Sequence, residues 1–229
     1  VQVWSWSGFT DYLFNAYLLE GAVVTLWLTV ASLAAGLVLG IGIALMRLSG
    51  SRALSGIAAF YCWIFRGTPL LVQLLIIYTG LPLFGIRFSV TQAALLGLSL
   101  NEAAYLSEIV RAGILSVAKG QREAATALGL SRVQVFRQVV WPQAMRVIIP
   151  PLGNSVNGLL KTTSVASVIS MEELLRRTQI LIQERFLVLE LFVAAAIWYL
   201  VMTSCWELVQ RRLEKRFGRA YANESADRR

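Results

Sequence analysis

Long runs of apolar and small residues dominate the chain, with little strand-like alternation. The first run, about Ala22 to Met46, holds only apolar, small and hydroxyl residues. It predicts a helix that crosses a bilayer, which takes about 20 residues. A second run, about Leu54 to Leu83, is interrupted by Arg66-Gly67-Thr68-Pro69. A third, about Thr91 to Ala112, carries Asn101, Glu102, Glu108 and Arg111. The fourth, about Val147 to Ile169, contains Asn154, Asn157 and Lys161, and the fifth, about Leu187 to Val209, is again apolar. The pattern predicts an all-α membrane protein with five transmembrane helices. Treating the polar fourth run as a re-entrant segment leaves four. Residues 1–20 read as an outer segment, 21–211 as the membrane unit and 212–229 as a cytoplasmic tail that frays after about Arg219.

Composition supports this reading and removes others. The chain is 57% hydrophobic and 15% charged, against about 45–50% and about 25% in soluble domains. It nevertheless carries a net charge of +8. A basic chain this apolar does not resemble a nucleic-acid binder or a disordered segment. The absence of His removes the commonest metal ligand and acid–base catalyst, which argues against an enzyme. Cys62 and Cys205 lie in apolar runs and read as small buried hydrophobes. No basic segment precedes the first run, so that run reads as a retained span.

Position explains the charge. With the N-terminus outside, fourteen of the 21 Lys and Arg fall on the inner side and four on the outer. Arg66, Arg111 and Lys161 remain in or near the spans. The positive-inside rule therefore predicts an outer N-terminus and a cytoplasmic C-terminus. Trp4, Trp6 and Tyr12 sit where an outer aromatic belt belongs.

The third inner segment, residues 118–142, is the most distinctive. Residues from about Gly120 to Leu128 favour helix, and Gly129 suits a left-handed helix end. Ser131 and Gln134 have capping-box spacing for a second helix. Val135, Phe136, Val139 and Val140 give that helix an apolar face, and Pro142 is expected to stop or kink it. By pattern alone this element is either a knob for a groove in another protein or an amphipathic loop on anionic lipid.

The run Glu123-Ala124-Ala125, three residues, Gly129, nine residues, Val139, one residue, Trp141-Pro142 resembles the coupling motif of bacterial ABC importer permeases. Val139 and Trp141 stand where that motif usually has Ile and Leu. Arg66-Gly-Thr-Pro-Leu-Leu-Val-Gln73, Ala104-Tyr-Leu-Ser-Glu108-Ile-Val-Arg111 and Leu160-Lys-Thr-Thr-Ser-Val-Ala-Ser-Val-Ile169 resemble the polar amino-acid branch, whose cargo includes opines. The resemblance implies an ATP-binding ABC ATPase dimer that receives the element. It also implies a second permease subunit, identical or related, and a periplasmic or extracellular substrate-binding protein. The setting would be a bacterial inner membrane. Glu123, Ala124, Ala125, Gly129 and Pro142 would carry ATPase coupling. ATP and Mg would be bound by the partner, since this chain has no G-x-x-x-x-G-K-[ST] loop. The function implied is ATP-driven alternating access. The alternatives are an importer for another small zwitterion, or an ATP-independent secondary transporter, for which the element is unnecessary.

Charges at bilayer depth cost about 2.5–3.5 kcal/mol each on insertion scales, so each needs a partner or a cavity. Counting about 1.5 Å per residue places Arg66 near 18 Å, Glu102 near 17 Å and Lys161 near 21 Å from their span ends. An amino acid carries a carboxylate and an ammonium group. Arg66 or Lys161 could meet the former and Glu102 the latter, or Glu102 could simply pair with one of these cations. Asn101, Tyr105, Thr163 and Ser164 are further candidates for a substrate cavity, although hydroxyls also bond back to helix carbonyls. Glu108 and Arg111, three apart, read as a local ion pair. Ser32, Gly36 and Gly40 read as a helix-packing stripe.

Overall fold

Side-chain caps set where the helices begin. The computed structural model describes residues 4–226, with side chains described to residue 217. Ser5 opens α1 (Trp6–Leu13) by accepting the Gly8 N–H. Asn15 opens α2 (Ala16–Leu48), and Ser51 opens α3 (Arg52–Gly67). Pro69 starts α4 (Leu70–Leu75), which runs through a π turn, Ile76–Gly80, and a 3₁₀ turn, Leu81–Phe84. Ser89 and Gln92 form a capping box for α5 (Val90–Leu115). Next come α6 (Lys119–Ala127) and α7 (Arg132–Gln134), the latter opened by the Ser131–Gln134 box expected from the spacing. A π turn, Val135–Val140, leads without a break into α8 (Trp141–Thr162) and a 3₁₀ turn, Thr163–Ile169. α9 (Leu174–Arg185) and α10 (Val188–Ala226) complete the fold. All regular structure among the described residues is helical.

Of the two outcomes expected at Pro142, a stop or a kink, the stop does not occur. The chain passes from α7 through the π turn into α8, with Pro142 in the first turn of α8. The i→i+5 register re-routes backbone bonds where proline has no N–H to give. The expected fraying after Arg219 also differs, because α10 stays helical to Ala226. Side chains from residue 218, and residues 227–229 altogether, lie outside the described residues. Cys62 is buried as expected, 3.3 Å from the Ser107 hydroxyl, whereas Cys205 is exposed on α10.

Among the described residues, two helices are long and apolar enough to cross a membrane: Ala16–Leu48 and, within α10, Val188–Phe217. The segments Arg52–Gly67 and Leu70–Phe84 make a third if taken as one span, but they meet at 103°. The Arg66–Pro69 interruption is therefore a sharp corner. The depth count to Arg66 runs along α3 and ends just before this corner.

The small-residue stripe of α2 lies against α5. A Cβ on Gly36 would come within 3.2 Å of Glu102 Cβ, and one on Gly40 within 3.0 Å of the Ala103 carbonyl. Leu28, Leu74, Leu98, Leu159 and Ile169 bury together and join α2, α4, α5, α8 and the 3₁₀ turn. A second cluster, with Ala44, Val110, Ile114, Ala125, Val140 and Ile148, lies beneath the α6–α7 element. α5 packs against α8 at Gly113, where an added Cβ would lie 2.3 Å from Ile148 Cγ1 and 3.2 Å from the Ala144 carbonyl. Gly113→Val is expected to cost about 2 kcal/mol by overpacking. Ile148→Ala in the same chain should recover part of the lost thermal midpoint in detergent. An unchanged midpoint for Gly113→Val alone would show that the two helices have slack.

Candidate functional site

The corner between α3 and α4 leaves backbone carbonyls without helical partners, and two side chains take them. Gln73 is 6% exposed. Its amide nitrogen lies 3.0 Å from the Phe65 carbonyl, 3.1 Å from the Thr68 carbonyl and 2.8 Å from Thr68 Oγ1. Asn101 of α5 donates to the Phe65 carbonyl at 3.1 Å and to Gln73 Oε1 at 3.0 Å. Broken helices at membrane depth persist only when such groups are satisfied. Gln73 was not among the sequence candidates. Its signal was an amide inside the otherwise apolar Leu70–Leu75 run, four residues after the Pro69 break.

The held corner forms one wall of a cavity of about 720 Å³, within the usual range of about 300–1,000 Å³ for small-molecule sites. α5 contributes Asn101, Glu102, Tyr105, Glu108 and Ile109, and α8 contributes Ser155, Gly158, Leu159 and Thr162. The corner adds Arg66, Thr68 and Pro69. The Arg66 guanidinium carbon lies 5.6 Å from the centroid of the Tyr105 ring, a cation–π arrangement. Glu102 is 8% exposed, and its Oε1 has no hydrogen-bond partner. The alternative reading, an ion pair with Arg66 or Lys161, is absent among the described residues. Glu108 is engaged, by Arg111 at 2.7 Å and by Arg47 of α2 at 3.3 Å. The cavity thus holds one cation on an aromatic face, one buried acid with an open acceptor, and hydroxyls from Thr68, Tyr105, Ser155 and Thr162.

Three sequence candidates lie elsewhere. Lys161 and Ser164 line a separate groove of about 490 Å³ with Ala196, Tyr199, Leu200 and Thr203. Thr163 is fully buried and donates back to the Leu160 carbonyl at 2.9 Å. The reason is helical phase. At about 100° per residue, Ser155, Gly158, Leu159 and Thr162 share a stripe, and Lys161 points about a third of a turn away. Of the Thr162-Thr163-Ser164 run, Thr162 is the residue that lines the cavity.

α6 and α7 flank Gly129, where the glycine and the Ser131 cap place them. Gly129 takes φ +83 between α6 and α7, and the preceding turn closes through Leu130 N–H to the Ala125 carbonyl. Glu123 is exposed and pairs with Lys119 at 3.2 Å. Ala124 faces outward, whereas Ala125 is buried in the cluster beneath the element. Exposed Leu128 and Val133 add an apolar surface on either side of Gly129.

Residues 36–219 match the family model described as the binding-protein-dependent transport system inner membrane component. The chain belongs to that family. The permease is 39% identical over 230 residues to the arginine transport system permease protein ArgU of Corynebacterium glutamicum, covering 94% of this chain and 73% of ArgU. It is 41% identical over 201 residues to the glutamine transport system permease protein GlnP of Escherichia coli, covering 87% of this chain and 92% of GlnP. A solved amino acid ABC transporter with histidines superposes with a TM-score of 0.88 at 35% identity, over 94% of the permease and 100% of that chain. An inward-facing MetNI methionine ABC transporter aligns with a TM-score of 0.74 at 18% identity, covering 88% and 96% of the two chains, and so shares the fold. The permease is an all-helical membrane subunit, and the relatives named are permease proteins, not enzymes.

Proposed function

We propose that this permease moves a polar amino acid or an opine-like compound into the cytoplasm through the cavity between the α3–α4 corner, α5 and α8. The observation that carries the proposal is the buried Glu102 carboxylate, whose Oε1 has no hydrogen-bond partner, in the same cavity as the Arg66 guanidinium. Opposite charges in one polar-walled space complement the ammonium and carboxylate of an amino acid, and buried charges are stable only when paired. The arginine and glutamine relatives support the same cargo class. In this reading α2, the α3–α4 pair, α5, α8 and α10 are the five crossings, with the N-terminus outside and the C-terminus in the cytoplasm.

The α6–α7 element then meets a partner ATPase dimer, which binds the ATP and Mg. Gly129 permits the turn, Ala124 allows close approach and Glu123 offers a polar contact, while Ala125 holds the element on its base. Closure of the ATPases on ATP brings two such elements together and alternates the cavity between its two openings, in a complex with a second permease subunit. An external binding protein delivers the cargo. Reconstitution of the permease with its ATPase and binding protein in proteoliposomes tests this. Uptake of a labelled polar amino acid that depends on internal or external ATP at the ATPase face is expected. Uptake that persists without nucleotide, or no retention of the ATPase on purification, would contradict it.

A further inference from the structure

We infer that Arg122 is a positioning residue that ties the ATPase-facing element to the cavity through α5. The inference rests on the reading of the α6–α7 element as the ATPase contact. The last turn of α5 leaves carbonyls that no α5 N–H can reach. Ser116 takes two of them, its N–H donating to the Ala112 carbonyl at 2.9 Å and its hydroxyl to the Gly113 carbonyl at 2.7 Å. The next, Ile114, accepts from the Arg122 guanidinium Nη2, which arrives from α6. Arg122 is half-buried, and its Nε is buried with no partner, so the side chain is aimed at the α5 terminus and not at solvent. A cation there also complements the negative end of the helix dipole.

The consequence follows from what α5 carries. Ile109 and Glu108 line the cavity about one and a half turns above Ile114, roughly 8 Å along the axis, and Glu102 lies roughly 18 Å away. The apolar cluster of Ile114, Val117, Ala125 and Val140 seats the element on its base. Apolar contact is non-directional and allows rocking. The Arg122 bond fixes orientation, so tilt of α6 becomes displacement of α5 and of the cavity wall. Glu123, the next residue, points outward and pairs with Lys119, which separates the ATPase-facing side of α6 from the side that grips α5.

The test uses the complete complex of permease, ATPase and binding protein in proteoliposomes. For Arg122→Ala, the ATPase is expected to stay bound and its hydrolysis to stay within about twofold, while substrate moved per ATP falls about tenfold. Arg122→Lys, which keeps the cation and a donor, should recover part of that ratio. Where Arg122→Ala does not accumulate in the membrane, Arg122→Gln is read in the same way, and the same ratio decides. Substrate moved per ATP that stays at the wild-type value would overturn the inference. So would loss of the ATPase from both the Ala and the Lys variants, which assigns Arg122 to docking alone. Failure of the wild-type permease to hold an ATPase is a different result and would remove the underlying reading of the element.

Discussion

Glu102→Gln is expected to lower amino-acid uptake by about ten- to a hundredfold at subsaturating cargo, while the complex assembles normally. Charge-assisted hydrogen bonds contribute about 1.5–3 kcal/mol, and each 1.4 kcal/mol is a factor of ten. Gln is the same size and keeps an acceptor oxygen, so the change removes charge with little change in packing. This matters because Glu102 Cβ packs against Gly36 of α2, where an added Cβ would sit 3.2 Å away. The carboxylate has an open acceptor and no ion-pair partner among the described residues. A cargo ammonium group would therefore be its first charged partner. Measuring uptake against cargo concentration separates the possibilities. A raised half-saturation concentration with intact ATP hydrolysis is the expected result. Unchanged uptake across the series would remove Glu102 from the cargo path.

Glu173→Ala is expected to produce the largest loss of stability, about 3 kcal/mol, from a lost helix cap and stranded buried hydroxyls. Glu173 is fully buried. Its Oε1 accepts the Arg176 N–H at 2.8 Å and so caps α9. Its Oε2 accepts the Tyr199 hydroxyl of α10 at 2.7 Å and lies 3.5 Å from Thr25 Oγ1 of α2. Thr25 Oγ1 in turn accepts the Leu174 N–H at 3.2 Å. One carboxylate therefore joins three helices that are distant in sequence. Glu173→Gln keeps an oxygen for the cap and should cost less. The thermal midpoint in detergent reads both variants. A double-mutant cycle with Tyr199→Phe is expected to give a coupling of about 1 kcal/mol. Full additivity would mean that the Tyr199 bond contributes nothing.

Local rules were readable along the chain wherever the partner is a few residues away. The Ser131–Gln134 box, the left-handed Gly129 and the Glu108–Arg111 pair all depend on short-range geometry. The candidate site was partly readable for the same reason, since Asn101, Glu102 and Tyr105 share one helix with Glu108. Depth counts were incomplete, because depth alone says nothing about which side of a helix a residue faces. Lys161 was placed in the cavity by depth and is excluded by phase, while the i, i+3, i+4, i+7 spacing of Ser155, Gly158, Leu159 and Thr162 gives the stripe that does line it. Gln73 and Glu173 act through partners set by tertiary folding. An isolated polar residue does not disclose which distant hydroxyl or carbonyl it will meet.

The most direct test of the central claim is to locate the cargo itself. Cryo-electron microscopy of the full complex, held with cargo bound, is expected to show an amino acid between the α3–α4 corner, α5 and α8, with its carboxylate at Arg66 and a cationic group at Glu102. Cargo in the groove beside Lys161 and Tyr199, with this cavity empty, would contradict the account.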